Sequence, residues 1–330
     1  MAITAQTKVP TLDYWKLAGK LQVGDWVFDK DGNPVQIKLI QSYRAKECFE
    51  VILDDNLTLC GDKNLTLPVE NLKHRHRQST YKGVNKFRRP LKPTKVLDLV
   101  DKPLVLKNNR KAFSIPTTKP LQYPTQDFPV PPFIFGFWFF ARRFDGTMSA
   151  APGKQDEVEQ IFKDYGYLPK FSRLLPKGTR TFRCTPTIES QLIPNIPNTI
   201  PNNYVMGSVE QRMDLLRGIF STKSKSYNKK QDFFQFSSKN FTLVQKVQCV
   251  AESLGMRTNV NKHDILGHYT VKFKSRLPLV NDQVSPPIKV NQARRYIVKI
   301  NPIEEQQCVH IETTAQDNTI LVGEGYIPTC

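Results

Sequence analysis

Nowhere does the chain hold an apolar run of the roughly 20 residues that a membrane-crossing helix requires. Its N-terminus also lacks the charged, apolar and small-residue order of a secretory signal. Membrane attachment and secretion are therefore disfavoured, and an intracellular, cytoplasmic protein is expected. Cysteine is scarce and scattered: Cys48, Cys60, Cys184, Cys249, Cys308 and Cys330 show no Cys-x-x-Cys spacing, which argues against a zinc site and a disulfide framework. Acidic residues are also in short supply, 30 Asp and Glu against 48 Lys and Arg, a formal charge of +18 over 330 residues. An excess of that size favours a polyanionic partner, double-stranded DNA above all, over solubility alone. Hydrophobic content is a modest 39%, yet 10% aromatic residues interleaved with charge indicate a folded chain rather than a disordered one.

The length suffices for two domains, each with a sizeable core. From the N-terminus to about Asp101 the pattern is β-rich, with short apolar runs such as Val35 to Ile40 and Cys48 to Leu53 separated by turn signals, the strongest at Asp31-Gly-Asn-Pro34. A basic stretch from His74 to Arg89, with Tyr81 and Phe87 among its cations, reads as an exposed loop or arm. Six prolines between Pro116 and Pro132 suit an extended connector and place a boundary near Pro124. Beyond it the periodicity turns helical. Phe133 to Gly146 is strongly apolar around Gly136, and Asp214 to Ser224 repeats the layout around Gly218. Each is followed by a second helix closing on glycine, Val158 to Gly166 and Leu243 to Gly255, which indicates two pseudo-symmetric halves. Phe233 to Ser237 and His268 to Lys274 alternate as half-buried strands do. Past Pro286 and Pro287 the β character returns with Arg295 to Ile300 and a closing pair of short apolar strands from Cys308 to Cys330. A helical, basic insert thus interrupts a β-domain that needs both of its ends.

The two ends, Trp15 to Val35 and Cys308 to Cys330, resemble the halves of a phage-type intein, and the paired glycine-centred helices look like those of LAGLIDADG homing endonucleases. The resemblance implies an α+β chain. An all-β Hedgehog/intein splicing domain would be built from residues 1–124 and 285–330, and a pseudo-two-fold αββαββα endonuclease domain would occupy 125–284. In that endonuclease family each motif helix delivers an acidic residue to a metal centre over DNA, where Mg2+ polarises the phosphate and generates hydroxide. Here the two acid positions counted from Gly136 and Gly218 hold Ala141 and Lys223, and Asp145, one helical turn beyond Ala141, is the remaining candidate metal ligand. Cleavage is expected to be weak or absent. Arg142, Arg143, Lys225, Lys229, Lys230, Lys272 and Lys274 are the candidate DNA contacts.

For splicing, which uses no cofactor, the resemblance places Ala2 where the nucleophile would stand, Gly61 at the Thr of a Thr-x-x-His motif and Asn64 at its His. Alanine cannot attack a carbonyl, and an amide cannot shuttle a proton near neutral pH. His310 falls where the family often has an Asp or Cys assisting the middle step, or is a strand-surface histidine. Cys330 stands in the His place of a shortened Thr-His-Asn ending or is the first residue of a downstream host segment. The expected partners are double-stranded DNA and host flanks (exteins), for a monomer. The competing readings are a non-catalytic DNA-binding protein derived from a homing endonuclease, and a free-standing enzyme or structural protein that shares the motif shapes.

Overall fold

The computed structural model describes residues 2–72, 91–150, 153–175, 179–192, 197–222, 226–228, 232–263, 267–275, 277–279 and 294–330. The basic stretch at 74–89, Lys223, Lys225, Lys229, Lys230 and the prolines at 286 and 287 lie outside them. Contacts divide the chain into two compact units, one of Met1–Gln122, Glu252–Arg257 and Ile288–Cys330, the other of Tyr123–Ala251 and Thr258–Pro287.

The first unit is organised by one long antiparallel ladder of 12 strands, in which strands from the C-terminal stretch lie between strands from the N-terminal stretch. Gln306–Thr313 pairs with Pro34–Ala45 on one side and with Ala2–Thr4 on the other. Arg294–Ile303 likewise lies between Cys48–Leu53 and Phe113–Pro116. Neither end of the chain can complete this ladder alone, because removing the two C-terminal strands would open two gaps and leave four internal strand edges with unpaired N–H and C=O groups. The alternation seen in the sequence is the cause. Along Cys48–Leu53 the residues Cys48, Val51 and Leu53 are buried while Glu50 and Ile52 are partly open. Their core partners come from both ends, among them Ile3, Leu67, Ile297, Val309 and Ile327. The closing strands Ile320–Val322 and Ile327–Thr329 pair as a hairpin, and their residues are all buried.

The turn expected at Asp31-Gly-Asn-Pro34 is present. Gly32 adopts φ +83°, a left-handed value, and Asp29 Oδ1 accepts hydrogen bonds from the backbone N–H groups of Asp31 and Asn33. A Cβ at Gly32 would also stand 2.5 Å from the Pro120 carbonyl oxygen, so the connector passes directly over the turn.

Below the hairpin, a buried ion network ties distant segments of the same unit together. Arg295 Nε meets Asp55 Oδ2 at 2.8 Å, Arg257 meets Asp54 at 2.9 Å, and Arg294 is paired with Glu70. Residues 252–257, which the sequence leaves inside the insert, contribute Glu252 and Arg257 to this network.

The second unit is built on two helices, Pro132–Ala141 and Val209–Phe220, that cross through their glycines. A Cβ on Gly136 would lie 2.5 Å from the Leu215 carbonyl oxygen, and one on Gly218 would lie 2.1 Å from that of Phe133. Only glycine lets the two backbones approach so closely. Pro132 opens the first helix at its first position, as proline prefers. The second helix begins five residues before the expected Asp214 because Ser208 and Gln211 form a capping box, with the Ser208 hydroxyl accepting the Gln211 N–H and the Gln211 side chain accepting the Ser208 N–H. Each half carries a trailing helix, Gln155–Asp164 and Phe241–Ser253, followed by a glycine of positive φ, Gly166 and Gly255.

The halves are not equal. The second has a sheet of four strands and the first a sheet of three, the short Met148–Ser149 being the only described strand between its two helices. The αββαββα pattern is therefore one strand short in the first copy among the described residues.

Candidate functional sites in the two units

In the first unit the pairing register brings Ala2 opposite His310, Ile3 opposite Val309 and Thr4 opposite Cys308. On its other side Ile3 pairs with Gly61. Ala2 is 1% exposed, and a Cβ on Gly61 would stand 2.5 Å from the Ala2 carbonyl oxygen and 3.0 Å from the Leu65 side chain. Gly61 is thus the residue that lets this carbonyl seat against the strand. A threonine at that position would require the backbone to move.

Three residues on, Asn64 closes a turn onto Asp62. Its backbone N–H donates to Asp62 Oδ1 at 2.8 Å and its amide nitrogen to Oδ2 at 3.2 Å, while Lys95 Nζ donates to its amide oxygen at 3.5 Å. Asp62 is buried and accepts a third contact, from the Tyr43 hydroxyl at 2.7 Å. Burial first, and the hydrogen bond to Asp62 second, raise the pKa of Tyr43 well above the ordinary phenol value. Asn64 is therefore committed to a carboxylate. The turn runs on to Thr66, whose carbonyl accepts the Cys330 backbone N–H at 2.9 Å. Burial pushes the Cys330 thiol up to about 11, with the Asp317 charge adding to it, so near neutral pH it is a thiol and not a nucleophilic thiolate. The His310 ring is partly exposed, with Nε2 3.2 Å from Glu312 Oε1 two residues along the same strand face.

Ala2, Gly61 and His310 are thus brought together, with Asn64 and Cys330 held by the one turn from Asp62 to Thr66. One grouping has no signal in the sequence. The Cys48 and Cys308 sulfurs lie 4.0 Å apart in a buried cluster, and burial together with Cys48 drives the Cys308 thiol up to about 12. Only the strand register brings residues 260 positions apart into contact.

In the second unit the expected acid geometry is altered. The first helix ends at Ala141, and Arg142 is already extended at φ −61° and ψ 139°, so helical periodicity does not carry from Ala141 to Asp145. The cause lies in the turn that follows. Asp145 Oδ1 accepts from both the backbone N–H and the hydroxyl of Thr147, at 3.0 Å and 2.7 Å, and Arg183 donates to the Asp145 carbonyl at 2.6 Å. The hydroxyl of Thr147, then its amide, hold the carboxyl below the usual range. One carboxylate oxygen remains for other use, and no second acid joins it among the described residues. No group of three or more His, Cys, Asp or Glu side chains stands in metal-binding proximity among the described residues. Among the described residues, Asp145 is thus the one candidate ligand present for the magnesium site that the resemblance implies.

The candidate cations divide. Arg142 is folded back, its guanidinium 4.4 Å above the Trp138 ring and 5.4 Å from Phe139. Arg143 is exposed beside the turn, and Lys274 is half-buried just past its strand. Lys272 lies on His268–Phe273 between Gln235 and Asn259, with its ammonium 5.4 Å from the Phe233 ring. The next register pairs set Thr270 between Ser237 and Asn261 on the same side. Phe234, Phe236, Val271 and Phe273 fill the opposite, buried side. The open face presents Gln235, Asn259 and Asn261 around Lys272, while Thr270 is buried with its hydroxyl hydrogen-bonded to that of Ser237. In the first half, the cross-strand pair of Lys170 and Arg183 is exposed in the same manner. Sequence reasoning missed Lys170, Arg183, Gln235 and Asn259. The period-two alternation around Phe182 and Phe236 would have assigned them to the open faces.

No family profile matches the chain. The replicative DNA helicase DnaB of Mycobacterium intracellulare is 23% identical over 349 residues, spanning 99% of this chain and 58% of the relative. The chain thus covers little more than half the length of that relative. Of solved structures, the MchDnaB-1 intein matches at 25% identity over 21% of this chain and 53% of its own, with a TM-score of 0.20. Variants of the homing endonuclease I-DmoI match at 9% identity over 45% of this chain and 89% of theirs, with a TM-score of 0.32. The interleaving of both chain ends in one β-unit, with a glycine-crossed helical insert between them, fixes the organisation. The fold is α+β, and inteins and a homing endonuclease are among the solved proteins to which the chain is similar. The first unit presents Ala2, Gly61 and His310 at one junction, and the second presents polar sheet faces with no paired acid centre among the described residues. No helix among the described residues is long and apolar enough to cross a membrane.

Proposed function

We propose that this intein-type chain acts as a double-stranded DNA-binding element, with splicing chemistry silent at its first-unit junction and DNA cleavage absent or weak. The observation that carries the first part is the seat of Ala2. It is buried in the central ladder, opposite His310 and with its carbonyl against Gly61, where the strands hold a reacting residue in place. A methyl group occupies that seat, so no thioester forms there. Asn64, held on Asp62, supplies no proton to a leaving amide.

The insert supports the second part. Its net positive chain, the exposed Lys170 and Arg183 pair, and the amide face around Lys272 are suited to phosphates and base edges. Cleavage by two metal-bound carboxylates is not supported, since Ala141 ends its helix and Asp145 is turned onto Thr147. Asp145 is at most a single metal ligand. DNA is bound by a monomer in this reading, and flanking host segments stay attached.

Gel shift of the full chain on duplex DNA, with and without magnesium, tests the reading. Retarded but intact duplex is the expected result. A metal-dependent nick or break would overturn the loss of cleavage, and the absence of any shift at low salt would overturn DNA binding.

A further inference from the structure

Only five histidines occur in the chain, and two of them, His263 and His268, face each other across one hairpin. They are register partners at the end of the pair of strands Thr258–His263 and His268–Phe273, so their side chains leave the same face of the sheet. Their ring centroids are 4.7 Å apart, with the planes tilted by 32°. The turn is fixed by the Gly267 N–H donating to the His263 carbonyl at 2.9 Å, with Gly267 at φ +58°. His263 is exposed and His268 half-exposed. Neither ring has a hydrogen-bond or ion-pair partner among the described residues, so the lone pairs of both imidazoles are free for a ligand.

We propose that His263 and His268 form a two-imidazole site for a borderline transition-metal ion such as Zn2+, Ni2+ or Cu2+, completed by water. Imidazole is the protein ligand that suits these ions, and carboxylate-preferring Mg2+ and Ca2+ are not expected here. Metal–nitrogen bonds of about 2.0–2.1 Å to one ion hold two ring centroids about 5 Å apart, close to the spacing already present. The hairpin register sets that spacing in advance. Neighbouring side chains on the same face, Asn261 and Thr270, are neutral and polar. Lys262 and Tyr269 leave the opposite face. The site differs in location and in ligand chemistry from the acid positions at Ala141 and Lys223.

The test is calorimetric titration of the full chain with Ni2+ and, separately, Mg2+. One equivalent of Ni2+ should bind saturably at pH 7.5, with no heat from Mg2+. H263N and H268N should each lower the apparent Ni2+ affinity at least tenfold, whereas H310N should leave it unchanged. Circular dichroism checks that each variant is folded. If a variant misfolds, broadening of the His263 and His268 ring signals by Cu2+ in the unaltered chain gives the same decision. Equal affinity in H263N, H268N and the parent, or a loss in H310N alone, would overturn the proposal.

Discussion

Gly218 and Phe133 meet backbone to backbone: a Cβ on the glycine would stand 2.1 Å from the phenylalanine carbonyl oxygen and 2.9 Å from the Phe137 nitrogen. The pair fixes how closely the two motif helices cross. It also makes the glycine at the centre of each of these helices a packing requirement.

Gly218→Ala should therefore destabilise the second unit. Overpacking of a close-packed seam costs about 1–3 kcal/mol, and here the obstacle is backbone, which cannot rotate away. Scanning calorimetry of the full chain should show the transition of this unit lowered while that of the β-unit stays in place. Gly136→Ala, facing the Leu215 carbonyl at 2.5 Å, should act in the same direction.

Arg295 is 2% exposed and pairs with Asp55 and Glu252, themselves buried. Arg295→Met should cost about 3–5 kcal/mol, because removing one partner leaves buried carboxylates uncompensated. Urea denaturation followed through the β-unit reads this out. A loss below about 1 kcal/mol would show the network to be solvated.

Asp31 is held below the ordinary carboxylate range by the Lys119 ammonium at 2.7 Å, against a desolvation penalty and with help from Lys30. Its pKa is depressed on folding, so its stabilisation is fully present above the unfolded value of about 4 and disappears as pH falls through the lower folded value. The side chain is a little over one third exposed, so the contribution is that of a solvent-screened pair, about 0.2–1 kcal/mol. Asp31→Asn should lose this at pH 7 and flatten the stability curve below pH 4, as measured by thermal melts across that window.

A thiol at position 2 tests the junction chemistry. With a reporter fused ahead of residue 2, Ala2→Cys alone should give little cleavage by an added thiol, since Asn64 offers no proton. Ala2→Cys with Asn64→His should raise the rate on the order of 10²-fold, the usual scale of general acid catalysis. Equal rates in the two variants would remove Asn64 from the account.

What the sequence made legible was local. Alternation at Cys48 to Leu53, the turn at Gly32 and the apolar runs around Gly136 and Gly218 depend on neighbours within a few residues, and the structure follows them. The early start of the second motif helix was also local, written in Ser208 and Gln211, and was missed because the capping signal precedes the apolar run. Pairings such as Ala2 with His310 or Cys48 with Cys308 depend on register between strands hundreds of residues apart, which no local pattern encodes. Asp145 misled for a different reason. Helical spacing was extended past Ala141, where Arg142 leaves the helix and Thr147 captures the carboxylate. The face-to-face histidines at 263 and 268 were within reach of spacing alone, since a short turn between alternating strands makes them partners.

The most direct test of the central claim is fluorescence anisotropy of the full chain on duplex DNA across a salt series, with Arg183→Glu and Lys272→Glu beside it. Affinity should fall log-linearly with salt, and each substitution should weaken binding and reduce the slope by about 1, the contribution of one phosphate contact. Binding that is independent of salt, or unchanged in both variants, would contradict the assignment of these sheet faces to DNA.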